Sequence, residues 1–174
     1  MTLARQAIGH ELIQYVPLTV RSEDFAEPLR RPGASFVTLE MEGRLRGCIG
    51  TLEARRPLAV DVARNAAAAA FEDPRFGRLS RTEFERVDVH ISVLTPATPM
   101  TFISQEDLLA QMRPGIDGLI LADASHRGTF LPAVWEQLPE PSRFLEHLKL
   151  KAGLPPEHWS PTVKVWRYET ESFP

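Results

Sequence analysis

Phe36-Val37-Thr38-Leu39-Glu40-Met41-Glu42-Gly43-Arg44-Leu45-Arg46-Gly47-Cys48-Ile49-Gly50 is the stretch whose reading decides the fold. Alternation of apolar and polar residues makes Phe36 to Met41 one strand and Leu45 to Ile49 the returning one, with a turn between. Two registers compete. A two-residue loop, Glu42-Gly43, places Val37, Leu39 and Met41 on the same face as Arg44, Arg46 and Cys48. A three-residue loop through Arg44 instead pairs Met41 with Leu45, Leu39 with Gly47 and Val37 with Ile49. That face is then apolar throughout. A one-residue slip exchanges the faces, so burial of an apolar face favours the second register. Thr38, Glu40, Arg46 and Cys48 then share the other face, with Glu40 opposite Arg46.

Cys48 is the only cysteine of the chain. A thiol works as nucleophile or ligand in its thiolate form, which a cation such as Arg46 favours. Gly47 and Gly50 leave the backbone bare, so another group can approach closely. The plainer reading makes Cys48 a small buried hydrophobe in a strand. On that reading Arg46 is a cross-hairpin partner of Glu40, and the glycines only permit helix-to-sheet contact. Both readings stay open at this level.

The chain has 174 residues, the size of one domain with room for a small appended lobe. A 43% hydrophobic composition supports a buried core and excludes global disorder. With Lys+Arg 20 against Asp+Glu 23 the net charge is −3, too balanced for a protein that lives on phosphate contacts. One cysteine excludes an intramolecular disulfide and a zinc site built on several cysteines. Residues 1–13 are polar and charged and do not read as a secretory leader. No apolar run approaches the roughly 20 residues of a membrane helix. The cytoplasm is therefore the expected location, with no membrane partner.

Outward from the hairpin, residues 2–15 read as an amphipathic helix. Leu3, Ala7, Ile8, Leu12 and Tyr15 form its apolar stripe, Arg5, Gln6 and Glu11 face water, and Pro17 closes it. Residues 21–33, with Pro28 and Pro32, read as a surface excursion or a flap. Pro57 opens a helix running to about Phe71. Its five alanines, Ala66 to Ala70, make it thin enough to press close to a sheet. Asp73-Pro74-Arg75-Phe76 stops that helix. Asp73 and Arg75 either hold this corner as an ion pair or project into a cleft. Val87 to Leu94 is a strand with His90 on its polar face beside Asp88 and Ser92. Ser104 with Asp107 resembles a cap for a short helix ending near Met112. Leu119 to Ala122 and residues 128–132 form a second hairpin. Ser142 to Ala152 is a helix with Gly153 as its left-handed stop, and residues 163–168 form a final strand. Trp135, Trp159 and Trp166 read as core or rim anchors, since no basic run interleaves them.

Several chemistries are missing from the sequence. The glycines make no Walker-type or dinucleotide-binding pattern, and there is no Gly-x-Ser-x-Gly elbow. None of the five histidines stands at metal-motif spacing, so no metal and no cofactor is expected. A thiol enzyme would need Cys48 to meet a base such as His90 or His126.

Taken together the motifs resemble the AMME chromosomal region (AMMECR) domain, whose prokaryotic members are called AmmeMemoRadiSam system protein A. The resemblance rests on Leu45-Arg46-Gly47-Cys48-Ile49-Gly50, preceded by Phe36-Val37-Thr38-Leu39 and followed by Asp73-Pro74-Arg75-Phe76. Ile91-Ser92-Val93-Leu94, Gly115-Ile116-Asp117-Gly118, Gly128-Thr129-Phe130-Leu131-Pro132 and Lys151-Ala152-Gly153-Leu154 follow in the family's order. It spans nearly the whole chain. His90 is its least typical position, acidic residues being common there. The resemblance implies an α+β fold, with a mostly antiparallel sheet flanked by helices and a smaller second lobe. It also implies a cleft at the signature, and the company of a Memo-like protein and a radical S-adenosylmethionine enzyme. It brings no settled reaction.

Three readings follow. The first is an accessory protein that binds a ligand or partner at the signature, using Gly47, Gly50, Glu40, Asp73 and Arg75. The second is a cysteine-dependent enzyme with Cys48 as nucleophile or carrier. In it Arg46 lowers the thiol pKa and His90, Glu40 or Asp73 serves as proton partner. The third is a nucleic-acid-associated regulator contacting phosphates through Arg44, Arg46, Arg75 and Arg78, against which the negative net charge weighs.

Overall fold

A computed structural model describes residues 2–173. In chain order the elements are α1 (Thr2–Gln14), a 3-10 turn (Ser22–Asp24), α2 (Glu27–Arg30), β1 (Pro32–Met41), β2 (Arg44–Gly50), β3 (Arg56–Pro57), α3 (Leu58–Phe71), α4 (Arg81–Phe84) and β4 (Asp88–Leu94). Then come β5 (Thr98–Pro99), α5 (Gln105–Gln111), β6 (Gly118–Asp123), β7 (His126–Phe130), a 3-10 turn (Pro132–Glu136), α6 (Pro141–Lys151), β8 (Lys164–Tyr168) and β9 (Thr170–Phe173). The chain divides into two compact units, residues 2–94 with 171–173, and residues 95–170. Among the described residues no helix is long and apolar enough to cross a membrane.

The first unit is a sheet ordered β2-β1-β4-β9, with β3 also paired to β1. Its apolar face carries Val37, Leu39, Val89 and Ile91, all buried, and α3 and α1 join them in one core. The alanine run does what its size allows. Ala63, Ala66, Ala67, Ala69 and Ala70 are buried, and a Cβ at Gly47 would lie 2.2 Å from the Ala69 carbonyl oxygen. Helix and strand backbones are thus in direct contact, which only glycine opposite alanine permits.

Three details of the first unit differ from the sequence reading. Tyr15 leaves the α1 stripe: the helix ends at Gln14, Tyr15 takes φ 59, and the residue is 81% exposed. Arg5 and Glu11 do not face water. Arg5 donates to the carbonyls of Val87 (2.8 Å) and Phe84 (3.0 Å), and buried Glu11 pairs with Arg78 at 3.5 Å. Residues 21–33 keep to the surface as read, and hold two short helical turns; Phe25 and Leu29 face an apolar cavity of about 340 Å³ shared with Leu58 and Val62.

The second unit is an antiparallel sheet ordered β5-β8-β6-β7. Phe144, Leu145 and Leu148 of α6 are fully buried in its core, and Trp135 stacks on Phe144 with centroids 3.8 Å apart. Gly153 ends α6 at φ 83, and the Ser104 hydroxyl accepts from the Asp107 N–H to cap α5. The expected last strand is followed by a further one. β9 leaves this unit and becomes the edge of the first sheet beside β4.

Candidate functional site

The signature hairpin combines both loop geometries. Glu42 and Gly43 form a two-residue turn with φ 54 and 73, closed by Met41 opposite Arg44. Deeper in, Leu39 faces Gly47, Thr38 faces Cys48 and Val37 faces Ile49, as the apolar-face register requires. The one-residue difference is absorbed by a bulge, since Leu39 pairs with Gly47 but Glu40 with Leu45. Arg46 is the extra residue. A bulge re-aims its side chain, and Arg46 turns away from Glu40 to grip Glu83 with two hydrogen bonds, Nε to Oε1 at 2.8 Å and Nη2 to Oε2 at 3.2 Å. Nη2 also donates to the Gly77 carbonyl at 3.0 Å. Arg46 and the Ser80 N–H at the start of α4 hold the Glu83 carboxyl down at about 2.

Cys48 sits on an edge strand whose outward backbone groups need partners. Asp73 and Arg75 supply them. The Cys48 N–H donates to Asp73 Oδ2 at 2.9 Å, and Arg75 Nη2 donates to the Cys48 carbonyl at 3.3 Å. Arg75 closes back on Asp73 through Nε (2.9 Å) and Nη2 (2.7 Å). The pair thus replaces a neighbouring strand at this one residue. The Arg75 guanidinium, ahead of the Cys48 and Arg75 N–H groups, holds the Asp73 carboxyl well below the usual carboxylate range. Asp73 in turn raises Arg75, to which a charge on Cys48 adds a smaller contribution. The cation against Cys48 is therefore Arg75, while Arg46 serves Glu83.

On the face opposite α3, Cys48, Thr38 and His90 form a row across β2, β1 and β4. The Thr38 hydroxyl donates to Cys48 Sγ at 3.3 Å. His90 stands beyond Thr38, two strand spacings or about 9–10 Å from Cys48 along the sheet. Thiol and imidazole share a face without contact. His90 instead faces Glu40, Nε2 to Oε2 at 3.7 Å, both half-buried. The glycines are filled from within. α3 occupies the space over Gly47, and a Cβ at Gly50 would lie 2.2 Å from the Phe36 ring.

Beyond Gly50 lies a buried polar cluster that the sequence reading missed. Asp61 of α3, fully buried, accepts from the Ser35 N–H (2.9 Å) and hydroxyl (2.8 Å), the Thr51 hydroxyl (2.8 Å) and Asn65 Nδ2 (2.9 Å). Arg56 Nε lies 3.4 Å from its other oxygen. The cluster ties β1 and the residue after the signature to α3. Its available signal was two polar residues four apart, Asp61 and Asn65, on one face of a helix rich in alanine and valine. Glu83 had one too, because Ser80-x-x-Glu83 is a capping box. Among the described residues no group of three or more His, Cys, Asp or Glu side chains could hold a metal ion.

Fold and site define a two-unit α+β protein that presents one cysteine on a bulged hairpin, stapled at its edge by an Asp-Arg pair. The AMMECR1 family model matches residues 1–173, and the chain belongs to that family. A protein of Methanothermobacter thermautotrophicus is 37% identical over 173 residues, covering 98% of this chain and 90% of the relative. One from Thermotoga maritima is 37% identical over 165 residues, covering 92% and 89%. The crystal structure of an uncharacterised protein from Pyrococcus horikoshii superposes with a TM-score of 0.91 at 31% identity, covering 98% of this chain and 87% of that one.

Proposed function

We propose that this protein is a cytoplasmic accessory component that binds a small molecule or a partner protein at the polar face around Cys48, working with a Memo-like protein and a radical S-adenosylmethionine enzyme. The observation that carries this reading is the separation of the thiol from a base. Cys48 accepts a hydrogen bond from Thr38, and His90 lies a full strand beyond. A nucleophilic cysteine needs a base or a positioned cation to activate it. The row Cys48, Thr38, His90 and Glu40 is half-buried and polar, a surface suited to recognition.

A second reading, a cysteine-dependent enzyme with Cys48 as nucleophile or carrier, draws on Arg75 beside it. The nucleic-acid reading loses support because Arg46, Arg75 and Arg78 are paired with Glu83, Asp73 and Glu11.

The deciding experiment follows Cys48 alkylation against pH in the folded and unfolded protein, together with calorimetric titration against a Memo-like protein of the same genome. The accessory reading expects Cys48 to alkylate no faster in the folded than in the unfolded protein. It also expects Cys48→Ala and Thr38→Val each to weaken binding at least about tenfold, roughly 1.4 kcal/mol. Alkylation much faster in the folded protein, with binding unchanged in both variants, refutes it in favour of the enzyme.

A further inference from the structure

The second unit holds a cavity of about 320 Å³ lined by Gln105, Ser142, Glu146, Lys149 and Glu157. Lys149 is 1% exposed, and no other lysine or arginine is among the buried polar residues. The chain carries its positive charge on 17 arginines and only three lysines. An arginine cannot give up its proton, whereas a buried lysine can.

The surroundings of Nζ suit the neutral amine. It donates to two uncharged acceptors, Gln105 Oε1 at 2.6 Å and the Pro156 carbonyl at 3.1 Å. A neutral amine has two N–H groups and one lone pair, so two acceptors satisfy it and leave the lone pair free. An ammonium would carry a third N–H. Burial pushes the Lys149 amine below the ordinary lysine value, opposed in part by the charges of Glu146 and Glu157. Those carboxylates line the same cavity, disfavour an anionic occupant and can relay protons.

We propose that Lys149 is a nucleophilic amine that captures a small uncharged aldehyde or ketone in this cavity as an imine. The Nζ lone pair adds to the carbonyl carbon, and one N–H proton passes to the carbonyl oxygen through Glu146 or Glu157. The carbinolamine then loses its hydroxyl with the second N–H proton as water, leaving a C=N bond. No oxidant or reductant is consumed. This site is independent of the Cys48 face.

The test is reductive trapping of the whole folded protein with propanal and cyanoborohydride at neutral pH, with labelling rates read by peptide mass mapping. Lys151 and Lys164 are exposed internal standards. Lys149 is expected to label at least about tenfold faster than either, because only the free amine adds to a carbonyl and burial favours that form at Lys149. In Lys149→Arg the fast label disappears and the two slow ones remain. Labelling of Lys149 no faster than the exposed lysines, or only after unfolding in urea, overturns the proposal. The wild-type rates decide it even if the variant does not fold.

Discussion

Replacing Gly47 with alanine places a methyl carbon 2.2 Å from the Ala69 carbonyl oxygen and 3.1 Å from its carbonyl carbon. An unstrained carbon–oxygen contact needs roughly 3.3 Å, so β2 and α3 must separate by about 1 Å. Both partners are backbone, and no rotamer change relieves them. The separation also loosens the contacts of Val37 and Leu39 with the alanine face of α3. Overpacking of this kind costs about 1–3 kcal/mol, and backbone against backbone belongs at the upper end, about 2–3 kcal/mol. For a chain of this length that lowers Tm by roughly 4–12 °C. Two other glycines calibrate the result. Gly77 has open space and an ordinary φ, so Gly77→Ala is neutral or stabilising by up to about 1 kcal/mol. Gly43 also has open space but φ 73, so Gly43→Ala costs about 1 kcal/mol through the backbone alone. Urea unfolding should be followed by circular dichroism and by Cys48 alkylation, because Trp135, Trp159 and Trp166 all lie in the second unit. Gly47→Ala within about 0.5 kcal/mol of the wild type, indistinguishable from Gly77→Ala, would refute the close-contact reasoning.

Two further outcomes rest on the polar clusters. Asp61→Ala strips the acceptor from Ser35, Thr51 and Asn65 and leaves buried donors unpaired, so it should destabilise by about 3–5 kcal/mol. Asp61→Asn keeps an acceptor oxygen and should cost less in the same urea titration; equal costs contradict the assignment. Glu83 titrates at about 2 against an ordinary 4.5, and Asp73 also lies well below its ordinary value. A depressed carboxyl stabilises fully above its unfolded pKa, and the contribution is lost as pH falls through the folded one. The urea midpoint should therefore drop between about pH 6 and about pH 2.5, and drop less in Glu83→Gln. Equal pH slopes in wild type and variant would show that the Arg46–Glu83 pair contributes nothing.

Local pattern carried much of the fold. Period-two alternation put Val37, Leu39 and Ile49 on the buried face and Thr38 and Cys48 on the other, because a strand's two faces are written in consecutive residues. The same holds for the thin alanine helix, the Ser104 cap and the Gly153 stop, each set within a few residues. What failed were partnerships across the chain. The local pattern puts Arg46 opposite Glu40, its neighbour in an unbulged hairpin, yet it pairs with Glu83, 37 residues away. Helical spacing puts Arg5 and Glu11 on the water face of α1, and tertiary closure brings carbonyls and Arg78 to them.

The family signature was legible as a sequence motif, and its geometry was not. Strand order β2-β1-β4 puts Thr38 between Cys48 and His90, and no run of residues encodes which strand lies between two others. Burial of Lys149 was equally hidden, since an ionisable side chain enters a core only where acceptors from other segments meet it. The sequence by itself determined the faces taken by Val37, Leu39, Thr38 and Cys48, the cap of α5, the stop of α6, and the family. Only the tertiary structure decided which charges meet, which glycines are filled from within, and which cation holds the Cys48 carbonyl. Facing direction is a property of neighbouring residues, while pairing is a property of the closed chain.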